Sequence, residues 1–198
     1  MDLYLLRHGE TIHNTEKKYS TEENPLSPKG RAQAKAMAQA LAKLEDFKIE
    51  KILLSPTTRT RETGKIVNRL LKKEVQSYDG LIEIDAGAFK GLTFDEGARL
   101  YPEETSAYLN DFIYTGLPDG ESVYQAYQRA QDFLKKAKKI DQDILAISHG
   151  GLISLILAFI HHDLENYYKY DVYNASLSKI TYQDGWQIDF VNKAPEDL

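Results

Sequence analysis

The stretch Leu3-Tyr4-Leu5-Leu6-Arg7-His8-Gly9-Glu10-Thr11 decides how this chain is read. Four consecutive apolar residues describe a short strand buried on both faces, the pattern of a parallel sheet rather than of a half-wet hairpin. The run ends abruptly in Arg-His-Gly-Glu, so a cation and an imidazole arrive where a buried strand stops. In open α/β sheets, ligands bind beyond the carboxyl ends of the strands. Gly9 permits a sharp turn and close approach of the backbone. An imidazole beside an obligatory cation suits nucleophilic attack on an anion such as a phosphoryl group. Arg7 would hold the oxygens, and its charge would disfavour a second positive charge on His8. A buried Arg-His pair also occurs as a plain structural hydrogen bond, so the stretch needs partners elsewhere in the chain.

The same device returns near the other end. Ile144-Leu145-Ala146-Ile147-Ser148-His149-Gly150-Gly151 is again a buried strand ending in His-Gly, followed at once by a helix over Leu152–Phe159. Backbone N–H groups at the start of that helix form an anion site, with Gly150 at its entrance. Lys51–Leu54 is a third short apolar strand, and Thr57 or Thr58 caps the helix after it, with Ile66, Val67, Leu70 and Leu71 as the expected core face. Arg59 falls in the first turn of this helix, where the dipole opposes a cation unless an anion binds at the same spot. Arg61 points away as a solvated charge.

The remaining segments read more plainly. Thr11–Pro25 is polar and reads as a loop carrying Asn14, whose amide could donate to an anion, and His13, a surface histidine. Ser27-Pro28 opens an alanine-rich helix through about Leu44. From Lys72 to Pro118 the pattern is irregular. Leu81-Ile82-Glu83-Ile84-Asp85 sets a carboxyl group among apolar side chains, as a general acid near neutral pH requires, but from the residues alone an exposed glutamate on an edge strand is favoured. The aromatics from Phe89 to Tyr114 read equally as the small core of a helical lid or as a substrate wall. A strongly amphipathic helix follows from Glu121 to about Lys139. Two alternating runs joined at Asp184-Gly185 make a hairpin at one edge of the sheet. His161-His162 caps a helix end, since neighbouring side chains diverge and clamp a metal poorly.

Over 198 residues, apolar side chains make up 42% and charged ones 28%, the balance of an ordinary globular protein. The longest apolar run is too short to span a bilayer, and no secretory leader is expected at the N-terminus. With no cysteine there is neither a disulfide framework nor a thiolate metal site, which points to the cytoplasm. A net charge of -5 argues against a general nucleic-acid binder, so an anionic substrate requires a local positive pocket built from a few well-placed arginines.

Taken in order, these motifs resemble those of the histidine phosphatase superfamily, the phosphoglycerate mutase-like fold. Leu-x-Arg-His-Gly-Glu-Thr-x-x-Asn falls on Leu5 to Asn14. Pro-Leu-(Thr/Ser)-x-x-Gly-x-x-Gln-Ala falls on Pro25-Leu26-Ser27, Gly30 and Gln33-Ala34. Ser55, Arg59 and Thr63 follow, then Leu81, Glu83, Gly87 and Gly91, then Gly120-Glu121-Ser122, Ser148–Gly151 and Asn174-Ala175-Ser176. The ordered set spans essentially the whole chain. Three departures stand out. Tyr19–Leu26 replaces the Gln-Gly loop of many relatives, Arg61-Glu62 stands on the arginine helix, and Phe89-Lys90 replaces the frequent Trp-Glu before Gly91.

The resemblance implies a three-layer αβα sandwich over residues 1–198, its central sheet mostly parallel with an antiparallel edge, carrying a helical lid insertion at about 85–118. It implies a cofactor-independent phosphomonoesterase acting on small organic phosphate esters. His8 would take up the phosphoryl group, with Arg7, Arg59 and His149 around its oxygens and Asn14 and Gly150 adding contacts. Glu83 would protonate the leaving oxygen and then activate water, while Glu121 and Ser122 would stand behind the site. A phosphoglycerate mutase is the alternative, but Leu81–Gly87 lacks the Arg and Tyr that surround the acid in true mutases. A metal held by His8, His149 and Glu83 is disfavoured because two arginines at the same pocket would repel it. Neither a nucleic acid nor a membrane is expected as a partner.

Overall fold

The computed structural model describes residues 1–198. Its centre is β1 (Asp2–Arg7), whose four middle residues are all buried. A six-stranded sheet is built around it from β2 (Lys51–Leu54), β3 (Glu74–Ser77), β4 (Ile144–Ser148), β5 (Leu177–Tyr182) and β6 (Trp186–Lys193), in the order β3-β2-β4-β1-β5-β6. β3, β2, β4 and β1 run parallel, and β5 and β6 are antiparallel at the edge.

Alternation along each strand sorts its side chains between two cores. Leu3 and Leu5 of β1, Leu53 of β2 and Ile144 and Ala146 of β4 pack on α6 (Val123–Ile140) and α7 (Gly150–His161). Tyr4, Leu6, Ile52, Leu54, Leu145 and Ile147 face the other way, onto α2 (Pro28–Leu41) and α3 (Thr58–Leu71). Helices therefore cover both faces, which is why the central strands read as unbroken apolar runs. The result is an αβα arrangement with a mostly parallel sheet and an antiparallel edge.

Several local expectations change. The polar segment after β1 contains a short helix, α1 (Ile12–Thr15), closed by a capping box between Thr11 and Asn14. α2 ends at Leu41 rather than near Leu44. α7 begins at Gly150, two residues before the expected start. The buried face of α3 is Arg59, Thr60, Thr63, Gly64 and Val67, whereas Leu70 is 49% exposed. The helix is rotated so that its first turn serves the end of the sheet and not only the apolar layer. β3 was not legible in the sequence: all of its residues are exposed and only the backbone ladder to β2 defines it.

Between β3 and α6 the chain forms α4 (Phe94–Leu100) and α5 (Pro102–Asn110). Phe89 is fully buried there with Ala86 and Leu117, and Tyr19, Phe94, Tyr101 and Tyr108 pack around them. Phe89, Phe94, Tyr101 and Tyr108 thus form the segment's own small core, whereas Phe112 packs on the main core and Tyr114 is exposed. No helix is long and apolar enough to cross a membrane.

Candidate active site

Three parallel strands finish level with one another. Arg7 pairs with Ser148 and Leu54 with Ile147, the amide of His8 donates to the Ser148 carbonyl at 3.0 Å, and that of Ser55 to the Ile147 carbonyl at 3.1 Å. Ser55, His149 and His8 therefore leave the carboxyl edge of the sheet side by side. The two imidazoles are buried with centroids 5.2 Å apart and planes at 64°. The repeated strand-His-Gly pattern becomes a pair of adjacent histidines because the strands carrying it are neighbours in this register.

The tautomer of His8 follows from its partner. Nδ1 lies 2.7 Å from the carbonyl oxygen of Gly9, which can only accept, so Nδ1 carries the proton and Nε2 the lone pair. Burial first, then the charges of Arg59 and Arg7, hold its pKa well below the ordinary histidine value, against the opposing bond to Gly9. His149 places Nε2 2.8 Å from the Ser55 hydroxyl, and burial, Arg59, His8 and Arg7 hold its pKa well below the ordinary value too.

Arg7 donates to the Val172 carbonyl, and Arg59 donates to the Thr21 carbonyl at 2.7 Å. Each leaves its Nε–H buried without a partner, and so does Nδ1 of His149; the one other such atom in the chain is Nδ1 of His13. A buried donor left unpaired costs about 1–3 kcal/mol. The charges of Arg7 and Arg59 both reach His8, so the space that the three share favours an anion. Residues 7, 8 and 59 line a cavity of about 190 Å³, together with Asn14 and Glu83. The Oδ1 of Asn14 accepts from the Thr11 amide at 3.0 Å and from Asn174 Nδ2 at 3.3 Å, which leaves its NH₂ group for the cavity.

The start of α7 does not stay free for a ligand. The carboxyl group of Glu83 accepts from the Gly151 amide at 3.1 Å and the Leu152 amide at 2.9 Å, so a side chain of the protein occupies this helix N-terminus. Glu83 is thereby turned into the cavity, contrary to the edge-strand reading. A Cβ on Gly151 would stand 2.6 Å from the Glu83 Oε1, so glycine makes the approach possible. Gly150 lies behind Arg7, where a Cβ would stand 3.3 Å from the guanidinium, and it makes room for Arg7 rather than lining the cavity.

Glu121 and Ser122 stand outside the cavity. Ser122 caps α6, accepting from the Gln125 amide at 3.2 Å. Glu121 pairs with Arg129 at 2.6 Å, a residue the sequence reading passed over. Its signal was present: Arg129 stands three residues from buried Ala126 and four from buried Phe133, at the border of the apolar stripe of α6. No three or more His, Asp or Glu side chains are grouped so that they could hold a metal ion. At the rim, Lys90 is paired with Glu22 at 2.8 Å and with Asp85 at 2.9 Å.

The profile of the histidine phosphatase superfamily (branch 1) matches residues 3–194. The chain belongs to this superfamily. It is 30% identical over 182 residues to phosphoserine phosphatase 1 of Hydrogenobacter thermophilus, covering 90% of this chain and 85% of that one. It is also 30% identical over 159 residues to 6-phosphofructo-2-kinase/fructose-2,6-bisphosphatase 3 of Bos taurus, matching 79% of this chain but 32% of that longer protein. The crystal structure of the alpha-ribazole phosphatase from Shigella flexneri superposes with a TM-score of 0.89 at 26% identity, over 98% of this chain and 96% of that one. The histidine phosphatase relatives named here carry phosphatase activities in their names, and the fold is that of the superfamily.

Proposed function

We propose that this histidine phosphatase is a cofactor-independent phosphomonoesterase that hydrolyses small organic phosphate esters through a phosphohistidine on His8. The observation that carries the proposal is that the guanidiniums of Arg7 and Arg59 line one cavity with a neutral His8 whose Nε2 holds a lone pair. Phosphoryl transfer is mostly positioning and charge neutralisation, and two guanidiniums supply both. In the first step the Nε2 lone pair forms a bond to phosphorus while the bond to the ester oxygen breaks. Glu83, which enters this step protonated, gives that oxygen its proton and is left as a carboxylate. In the second step water attacks phosphorus, Glu83 takes the water proton, and the P–N bond breaks to release phosphate and restore His8. Covalent capture divides one difficult displacement into two easier ones. His149 and Asn14 support the oxygens, Gly150 gives Arg7 its room, and Glu121 and Ser122 stand behind.

The rim supports a single phosphoryl group as the anionic part of the substrate. Lys90 is already neutralised by Glu22 and Asp85, so the net positive charge is confined to the cup. Phe89 is buried in its own cluster, while Tyr19 and Ala86 of that cluster, with Ile82 and Ile84, give the cavity wall its apolar part. We also assign 85–118 as a lid on a single domain, and the cytoplasm as the compartment, from the absence of cysteine.

A panel of phosphomonoesters run on wild type and on His8→Ala tests the assignment. Wild type should release phosphate, be inhibited by vanadate and carry an acid-labile phosphate after rapid quenching. His8→Ala should lose about 10³-fold or more in kcat, as nucleophile removal does elsewhere. Turnover retained in His8→Ala would remove His8 from this role.

A further inference from the structure

We propose that Arg129 is a positioning residue for the proton donor, fixing the backbone from which Glu83 reaches the leaving group; this rests on the reading of Glu83 as that donor. The segment Gly80–Asp85 has no ladder to hold it, lying beyond the edge strand with only a single 3-10 turn at Asp79–Leu81. Arg129 supplies what the ladder does not. Its Nη1 donates to the Ile82 carbonyl at 2.6 Å and the Gly80 carbonyl at 3.2 Å, and its Nη2 donates to the Glu83 carbonyl at 3.2 Å. The same guanidinium is gripped by Glu121, Nε to Oε1 at 3.1 Å and Nη2 to Oε2 at 2.6 Å. The Glu121 carboxylate also takes the Asp85 amide at 3.4 Å, so the pair bridges both sides of Glu83.

The bridge is rigid at its other end. Arg129 and Glu121 are anchored to α6, which packs on the sheet through Ala126, Ala130 and Phe133. A planar guanidinium meeting several oxygens at once is a fixed fork, which a lysine cannot reproduce. Glu83 is therefore held twice: its carboxylate by the amides of Gly151 and Leu152, and its backbone by Arg129. Arg129 does not line the cavity and touches no substrate. Its hydrogen bonds go to the Glu83 segment and to Glu121, and beyond these its charge is the weakest of the causes that lower the His149 pKa.

The experiment separates positioning from general stability by leaving-group chemistry. An aliphatic phosphate ester needs a proton on its departing oxygen, whereas p-nitrophenyl phosphate departs as a stable anion and needs little help. We would measure kcat/KM, which reports only steps up to leaving-group departure, for both esters with wild type, Arg129→Met, Arg129→Lys and Glu83→Gln. Glu83→Gln should lower the aliphatic value by about 10²–10⁴-fold, the usual range for a lost general acid. Arg129→Met should lower it by about 10–100-fold, as small misplacements do, with much less change for the aryl ester. Arg129→Lys should show the same bias more weakly, and guides the test if the methionine variant folds poorly. Adding Arg129→Met to Glu83→Gln should cause no further loss.

An Arg129 variant that slows both esters equally, or neither, while Glu83→Gln keeps its bias, overturns the proposal and leaves the proton donor in place. A Glu83→Gln enzyme without any bias removes the donor, and the positioning role falls with it.

Discussion

At the scale of single residues, the site depends on a close approach that only glycine allows. A Cβ on Gly9 would lie inside the van der Waals surface of the Gly30 carbonyl oxygen, and one on Gly30 would strike the backbone of Glu10. The turn after β1 is thus pressed against the start of α2, and Gly9 O is the acceptor that fixes the His8 tautomer. Overpacking of this kind costs about 1–3 kcal/mol. Gly9→Ala should lower stability by at least that much in denaturant titration. It should also reduce kcat beyond what a more distant variant of equal stability loses, because the His8 ring is carried by the displaced turn. An alanine enzyme with wild-type stability would show that the close approach is not a constraint.

At the scale of elements, α4 and α5 are held by the aromatic cluster that closes over Phe89. The ring also packs against Gly97, where a Cβ would collide with it. Backbone bonds stitch this segment to the loop over the cavity, with the Tyr19 amide donating to the Leu92 carbonyl at 2.9 Å and the Gly91 amide to the Tyr19 carbonyl at 2.8 Å. Phe→Ala in a full core costs about 3–5 kcal/mol. Here the loss should fall mainly on the local unit rather than on the sheet. Phe89→Ala should therefore accelerate amide exchange over residues 86–117 while β1 and β4 remain protected, and KM should rise more than kcat falls. Uniform loss of protection throughout the chain would mean that the segment and the sheet unfold as one unit.

At the scale of the whole molecule, two buried neutral histidines link stability to pH. Both have folded pKa values held well below the unfolded value near 6.5. As pH falls through about 6.5 the unfolded chain takes up protons that the folded chain refuses, so the unfolded state is favoured. Stability should be level above that pH and decline below it, by up to about 1.4 kcal/mol per pH unit for each histidine. The carboxylates whose pKa values are depressed by partners, Glu10 with Lys29 and Glu22 with Lys90, act at still lower pH. Thermal midpoints from pH 7.5 to 5.5 should fall for wild type and stay flatter for His149→Gln. Phosphate in the cup should also flatten the decline, because its charge favours imidazolium. Equal slopes in wild type and variant would remove the histidines as the cause.

The sequence by itself determined the sheet core, the two histidine-bearing strand ends and Arg59 as an unusual cation at a helix start. Each is written in local pattern: unbroken apolar runs, a His-Gly break, a charge opposing a dipole. Tertiary structure decided what local pattern cannot carry. β3 has no buried side chain to announce it, and the buried face of α3 is polar because its first turn packs against the strand ends rather than the apolar layer. Glu83 looked exposed because nothing near it in sequence shows the amides of Gly151 and Leu152, which reach it only when α7 docks. Arg129 meets the carbonyls of residues 80, 82 and 83 across some 46 to 49 positions of chain. Contacts between surfaces far apart in sequence depend on strand order and register, and those emerge only from packing the whole chain.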